Sequence, residues 1–167
     1  DLNLASKLEY ELQPLHIAPF RPAAMLRAAA AEALNHAAEE QVSVEMDIAP
    51  EAGVMSANGD EALLRRAVDN LRRNSVRHNP GQIQLSLRLS VSEQQWCMTV
   101  QDNGSGLPED VLQRLRRPQE NALPSHGLGL VLVQQIVRAH GGTVCFENTQ
   151  PGLKVTLSFP RLAGENG

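Results

Sequence analysis

The feature that most constrains the fold is a repeated alternation of apolar and polar residues. It runs through residues 42–48, 83–91, 96–101 and 155–159. A period of two is the mark of a β-strand with one buried and one wet face. A sheet with both faces covered would instead contain continuous apolar runs. The sequence therefore predicts a largely antiparallel or mixed sheet that is covered on one face only.

Three helices are predicted to supply that cover, at roughly residues 22–40, 60–78 and 128–140. The first is rich in alanine, and the last ends at a glycine pair, which is a common left-handed stop. Residues 107–126 are interrupted by three prolines and are expected to form a long irregular lid or binding loop. The predicted fold class is α/β, as a two-layer α/β sandwich.

Composition excludes several classes of protein. Hydrophobic residues make up 42% and charged residues 20%, as in ordinary globular domains. A net charge of −4 disfavours a nucleic-acid partner. Cys97 and Cys145 fit no metal-ligand spacing and are too few for a disulfide framework, which indicates a reducing compartment. No apolar run approaches the roughly 20 residues that span a bilayer, so we expect this stretch of chain neither to cross a membrane nor to be exported.

The start of the chain has the pattern of an interrupted helix. Leu4, Leu8 and Leu12 recur at helical spacing, and prolines follow at positions 14, 19 and 22. The predicted division is a helix tail at residues 1–13, a linker at 14–22, the main domain at 23–162 and a flexible tail at 163–167.

The helix at 60–78 carries a polar stripe along the margin of its apolar face. Asn70, Asn74 and Arg77 form the stripe, and His78 borders both faces. Amides at the edge of a core need hydrogen-bond partners. Asn74 has a carbonyl oxygen of the kind that suits Mg²⁺, and Arg77 is positioned one turn further on to contact phosphates. Pairing with loop backbone would also satisfy the asparagines, so the helix alone leaves the ligand open.

A second motif, Asp102-Asn103-Gly104-Ser105-Gly106, follows a predicted strand. Alternation directs Asp102 toward the core side, where the exocyclic amine of a purine would be a suitable donor. Gly104 and Gly106 allow the backbone to approach a ligand closely. A plain turn has the same composition.

The third motif, Gly127-Leu128-Gly129, opens the last helix. Glycines there let backbone N–H groups and the helix dipole meet an anion such as a triphosphate. Simple close packing of the helix would use the same residues, so this signal is also weak by itself.

Taken together and in this order, the three motifs resemble the sensor histidine kinases of two-component systems. The resemblance covers nearly the whole chain and is to their catalytic ATP-binding domain, in the superfamily shared with DNA gyrase and mismatch-repair ATPases. It implies a Bergerat-type α/β sandwich with ATP and Mg²⁺ as cofactors. Residues 1–13 then correspond to the tail of the dimerisation helix.

The resemblance also implies roles for individual residues. Asn74 matches the magnesium ligand, Asn70 the other asparagine of its motif, and Arg77 a phosphate contact. The adenine would meet His78 and Asp102, and the two glycine motifs are matched by Gly104, Gly106, Gly127, Leu128 and Gly129.

The implied activity is transfer of the ATP γ-phosphate to a histidine on a separate dimerisation domain, for relay to a response regulator. The phosphoacceptor histidine itself is expected to lie outside this chain. The implied full-length protein is a homodimer anchored in the bacterial inner membrane, with this domain in the cytoplasm.

Two other function classes stay open. An ATP hydrolase of the gyrase or mismatch-repair kind needs a carboxylate on the motif helix to activate water. By the resemblance, Asn70 stands at that position in this chain, and an amide cannot act as a general base. A nucleotide-binding module without catalysis is suggested by the proline-rich lid. A serine kinase of the anti-sigma type is disfavoured by the helix tail at residues 1–13.

Overall fold

The computed structural model describes residues 14–36, 41–117 and 128–161. Helices and strands alternate irregularly along this part of the chain. The strands are β1 (Ala18–Phe20), β2 (Val42–Ile48), β3 (Ala57–Gly59), β4 (Ile83–Val91), β5 (Gln95–Asp102), β6 (Thr143–Thr149) and β7 (Gly152–Pro160). The helices are α1 (Pro22–Asn35), α2 (Pro50–Val54), α3 (Glu61–His78), α4 (Glu109–Arg116) and α5 (Leu128–Ala139).

A five-stranded sheet forms one layer of the fold, in the order β2-β4-β5-β7-β6. β2 runs parallel to β4, and the remaining neighbours are antiparallel. Along β5 the residues alternate in burial, with Trp96, Met98, Val100 and Asp102 inward. The predicted mixed sheet with one covered face is therefore confirmed.

The core lies between this sheet and the helices. Trp96 stacks on Phe159 of β7 at a centroid distance of 4.5 Å, and Phe20 meets its ring edge-on at 6.1 Å. Large fully buried side chains come from both layers, among them Leu26, Leu64, Met98, Leu130, Ile136 and Leu157. Burying each of these side chains stabilises the fold by about 1.5–3 kcal/mol relative to exposure. Packing of the helices against the sheet therefore stabilises both layers.

A small second sheet ties the predicted linker to the domain. β1 pairs antiparallel with β3, and Asp60, directly after β3, caps helix α3 through the Leu63 N–H at 3.2 Å. The other oxygen of Asp60 accepts the His16 N–H at 3.0 Å. The Asp60 N–H in turn donates to Nε2 of His140 at 2.9 Å, which leaves Nδ1 of His140 to donate to the Ile136 carbonyl at 2.8 Å. His140 is thus fixed as the Nδ1–H tautomer.

Two expectations about elements were wrong. Residues 109–116 of the expected irregular lid form helix α4, whose Val111, Leu112 and Leu115 are buried. The first helix ends at Asn35 instead of continuing to residue 40. Residues 118–126 of the expected lid and the helix tail at 1–13 lie outside the described residues.

The opposite face of the sheet is polar and carries no helix within the described residues. Cys97 is half-buried there, with its Sγ 3.4 Å from the Ser158 hydroxyl, and Cys145 is exposed. Among the helices that the structure describes, none is both long and apolar enough to cross a membrane.

Candidate nucleotide site

Asp102 ends β5 as a buried carboxylate that is 5% exposed. Its Oδ1 accepts the N–H groups of Gly104 and Leu153, each at 3.0 Å. Its Oδ2 accepts the hydroxyl of Ser75 at 2.6 Å. A carboxylate oxygen has two acceptor positions, so Oδ2 can take one further donor.

Gly152 lets the β6–β7 turn approach this carboxylate. Its φ is +109°, and a Cβ atom at this position would overlap the carbonyl oxygen of Asp102. Only glycine avoids both problems. The close approach is what brings the Leu153 N–H onto Asp102. The side chain of Leu153 is itself buried.

Asn79, at the end of α3, supports the loop that follows Asp102. Its Nδ2 donates to the Ser75 carbonyl at 2.7 Å, and its Oδ1 accepts the Ser105 N–H at 2.9 Å and the Ser105 hydroxyl at 3.3 Å. A Cβ on Gly104 would overlap the Asn79 amide. Gly104 is therefore needed for close contact with α3.

A cavity of about 330 Å³ opens beside this loop. Helix α3 contributes Asn74 and His78 to its lining, and the other lining residues are Ser105, Gly106, Leu107, Pro108, Val111 and Leu130. The lining thus combines apolar side chains with a few polar ones, as in many small-molecule sites. Within the described part of the chain, the Asn74 amide has no hydrogen-bond partner.

The remaining predicted site residues lie as follows. Asn70 is half-buried, and its Cβ lies 3.9 Å from where Gly129, in the first turn of α5, would carry a side chain. Arg77 is exposed and is not among the residues that line the cavity. Leu128 is the first residue of α5, and Gly127 lies outside the described residues.

The carboxylates at the start and middle of α3 point elsewhere. Asp60 caps the helix, Glu61 is exposed, and Asp69 lies 3.5 Å from the Arg65 side chain. No acidic residue is among those that line the cavity. Asp102 is not among the lining residues either, so none of the described residues that border the cavity is a carboxylate that could accept a proton from water.

The candidate metal ligand at this cavity is a single amide oxygen, that of Asn74. In residues 14–36, 41–117 and 128–161 no group of three or more His, Cys, Asp or Glu side chains is placed to hold a metal. Mg²⁺ commonly uses one or two protein oxygens, waters and substrate phosphates. The unpartnered Asn74 oxygen at the cavity fits that mode.

Ser75, Asn79 and Asn148 were not predicted as part of the site. The contacts of all three join residues 26–41 positions apart. A sequence signal existed only for Asn79, because asparagine is common just after a helix end.

The amino-acid sequence also matches known proteins. Residues 59–163 match the family described as histidine kinase-, DNA gyrase B-, and HSP90-like ATPase. The sensor protein PfeS of Pseudomonas aeruginosa is 34% identical over 104 residues, which are 60% of this chain and 23% of PfeS. Sporulation kinase B of Bacillus subtilis is 27% identical over 95% of this chain and 36% of its own length. The chain thus spans well under half of these relatives.

Solved structures share the fold. The catalytic domain of histidine kinase ThkA superimposes with a TM-score of 0.75 at 16% identity, over 87% of this chain and 96% of that one. Full-length ShkA, solved in complex with AMPPNP, superimposes with a TM-score of 0.77 at 22% identity, over 96% of this chain and 34% of that one.

The resemblance inferred from the three motifs is therefore confirmed. The curated relatives carry sensor-kinase names, which favours the kinase interpretation over the hydrolase and the binding module. The domain type is one that binds ATP. With its match over residues 59–163 and its shared fold, the chain belongs to the family of histidine kinase-, DNA gyrase B- and HSP90-like ATPases.

Proposed function

We propose that this chain is the ATP-binding catalytic domain of a two-component sensor histidine kinase. The observation that carries the proposal is the cavity that joins Asn74 and His78 of α3 to the loop after Asp102, with no carboxylate among the described residues that line it. Such a site would bind a nucleotide and position its phosphates, and its described lining residues offer no carboxylate to activate water. The acceptor of the γ-phosphate is a histidine on a separate dimerisation domain.

The purine end of ATP would be recognised at Asp102. The remaining acceptor position on Oδ2 takes the exocyclic amine, and the apolar wall around Leu107 and Leu130 covers the ring. His78 lies against the ring from α3, and Gly104 and Gly106 keep the loop close to it. Burial of this kind strengthens the amine–carboxylate hydrogen bond, because water does not compete.

The phosphates would extend along α3 toward the start of α5. Asn74 would hold Mg²⁺ through its amide oxygen, Asn70 and Arg77 would contact the phosphates, and Gly127, Leu128 and Gly129 would provide backbone N–H donors to them. Bound Mg²⁺ neutralises charge on the transferred phosphoryl group. The protein otherwise contributes positioning, which is the main requirement of phosphoryl transfer.

The partners follow from the same proposal. The dimerisation domain would continue from residues 1–13, the full-length protein would be a homodimer anchored in the bacterial inner membrane, and a response regulator would take the phosphoryl group. ThkA, whose fold is shared, has been solved in complex with the response regulator protein TrrA.

The test is phosphoryl transfer in a mixture of this chain, radiolabelled ATP, Mg²⁺ and the dimerisation domain of the full-length protein. We expect acid-labile label on one histidine of that domain. Asn74→Ala should abolish the transfer, because the metal loses its protein ligand. Arg73→Ala changes an exposed neighbour on the same helix and should leave transfer unchanged.

Each other outcome points to a different function. Phosphate release without label on the acceptor would identify a hydrolase. Nucleotide binding with neither reaction would identify a binding module, and no nucleotide binding at all would overturn the proposal.

A further inference from the structure

Helix α4 is held at both ends by strand β6. At its start, Asn148 clamps Leu107: Oδ1 accepts the Leu107 N–H at 2.7 Å, and Nδ2 donates to the Leu107 carbonyl at 2.9 Å. At its end, the Arg116 guanidinium donates to the Phe146 carbonyl at 3.1 Å. One residue, Glu147, separates these attachment points on β6, so the strand serves as a common support.

The far end of α4 has a second attachment, to helix α5. Gln134 is buried, and its Nε2 donates to the Leu115 carbonyl at 2.6 Å. Leu115 is itself buried, together with Val111 and Leu112. The helix is therefore part of the packed body of the domain, and the Asn148 clamp sets where its leading segment begins.

That leading segment is a wall of the cavity. Leu107, Pro108 and Val111 all line it. The chain enters the wall through Gly106, whose φ is +80° and where a Cβ atom would lie 2.7 Å from the Asn148 amide oxygen. The backbone is thus bent around the Asn148 side chain just before the wall starts. Asn148 is not itself among the lining residues.

We propose that Asn148 is a positioning residue for the nucleotide, which holds the wall of Leu107, Pro108 and Val111 at the spacing that the purine ring requires. This inference rests on the proposed function. The clamp is made before the ligand arrives, so it lowers the cost of ordering the wall on binding. Because it acts alike on the ground and transition states, its loss weakens binding without slowing the chemical step.

The test compares Asn148→Ala with Thr149→Val. Thr149 is the neighbouring residue on β6, and its hydroxyl bonds only within its own hairpin, to the Pro151 carbonyl at 2.9 Å. With two exposed hydrogen bonds lost, we expect the Kd for AMPPNP and the KM for ATP to rise about five- to tenfold in Asn148→Ala. The kcat for phosphorylation of the dimerisation domain should stay within about twofold, and Thr149→Val should match the parent in both.

Asn148→Asp provides a graded variant. It keeps the acceptor for the Leu107 N–H but places a second oxygen against the Leu107 carbonyl, so its Kd should lie between those of the parent and Asn148→Ala. Hydrogen exchange should quicken over residues 105–117 in Asn148→Ala, while β4 and β5 keep their protection. If Asn148→Ala fails to fold, the Asn148→Asp affinity decides.

The possible failures are distinguishable. If the parent binds AMPPNP and Asn148→Ala, or Asn148→Asp in its place, binds equally well, the inference is overturned and the proposed function stands. A loss of kcat equal to the loss of kcat/KM would also overturn it. If the parent itself does not bind, the proposed function fails first.

Discussion

At the scale of single residues, Asp102 combines an observed structural role with the proposed recognition of the purine. Its Oδ1 is fully used by two backbone N–H groups, whereas its Oδ2 bonds only Ser75. Asp102→Asn keeps the shape of the side chain and replaces Oδ2 by an amide NH₂ group. The Ser75 hydroxyl can turn to accept a hydrogen bond from this group. The fold should therefore persist while the acceptor for the purine amine is lost.

We accordingly expect Asp102→Asn to bind AMPPNP at least about tenfold more weakly, since a hydrogen bond to a charged group contributes about 1.5–3 kcal/mol. Calorimetric titration measures this. Ser75→Ala is the matched control: it should lower the unfolding free energy by about 1 kcal/mol but leave affinity within a few-fold. Equal affinity of Asp102→Asn and the parent would contradict the assignment.

Gly→Ala substitutions at two positions compare the free-energy cost of a positive φ alone with the cost of a positive φ combined with a steric clash. Gly81 and Gly152 both have φ near +105°, at +102° and +109°. A Cβ atom on Gly81 would meet nothing within 4 Å, whereas one on Gly152 would overlap the Asp102 carbonyl. Gly81→Ala should cost about 1–2 kcal/mol in urea unfolding, and Gly152→Ala clearly more. Similar costs would show that the β6–β7 turn shifts easily.

The residues that could be predicted from the sequence are those that belong to a local motif. Asp102 was placed on the core side by strand alternation, and its burial confirms this. Asn148 carries no comparable signal, since its contact with Leu107 spans 41 positions and depends on β6 lying beside α4. Contacts that the tertiary fold creates cannot be read from spacing along the chain.

At the scale of elements, the strands were predictable where burial alternates and not elsewhere. β6 was not among the predicted alternating segments, because Val144 and Phe146 are the only two apolar residues at its inward positions and so short a pattern is a weak signal. α4 was missed because the prolines on either side of it were taken as loop signals, although Pro108 precedes the helix and Glu109 and Asp110 occupy its first turn, a favourable start.

Asp60 joins the segment before β1 to the start of α3. Each of its oxygens accepts one backbone N–H, from His16 and from Leu63. Asp60→Asn replaces one oxygen by a donor, so one of these N–H groups loses its partner. We expect a loss of about 1–2 kcal/mol in unfolding free energy and faster hydrogen exchange at His16 or Leu63. Glu61→Gln, on the exposed neighbour, should change stability by less than about 0.5 kcal/mol.

At the scale of the whole molecule, the domain should bind ATP without consuming it. Because none of the described residues that line the cavity is a carboxylate, steady phosphate release by this chain alone should be far below common enzyme rates of about 1–1,000 per second. Label should also be absent from its own histidines, which are His16, His36, His78, His126 and His140. A colorimetric phosphate assay and mass spectrometry after incubation with Mg²⁺ and ATP check the two expectations. Rapid turnover would revive the hydrolase interpretation.

The polar face of the sheet has a practical consequence. It carries both cysteines of the chain, and the residues that line the cavity include neither. Cys145 is exposed, while Cys97 is half-buried beside Ser158. A maleimide fluorophore would thus react first at Cys145, on the strand that supports α4. The label would lie on the polar face of the sheet, away from the cavity, and would report nucleotide binding without an engineered cysteine.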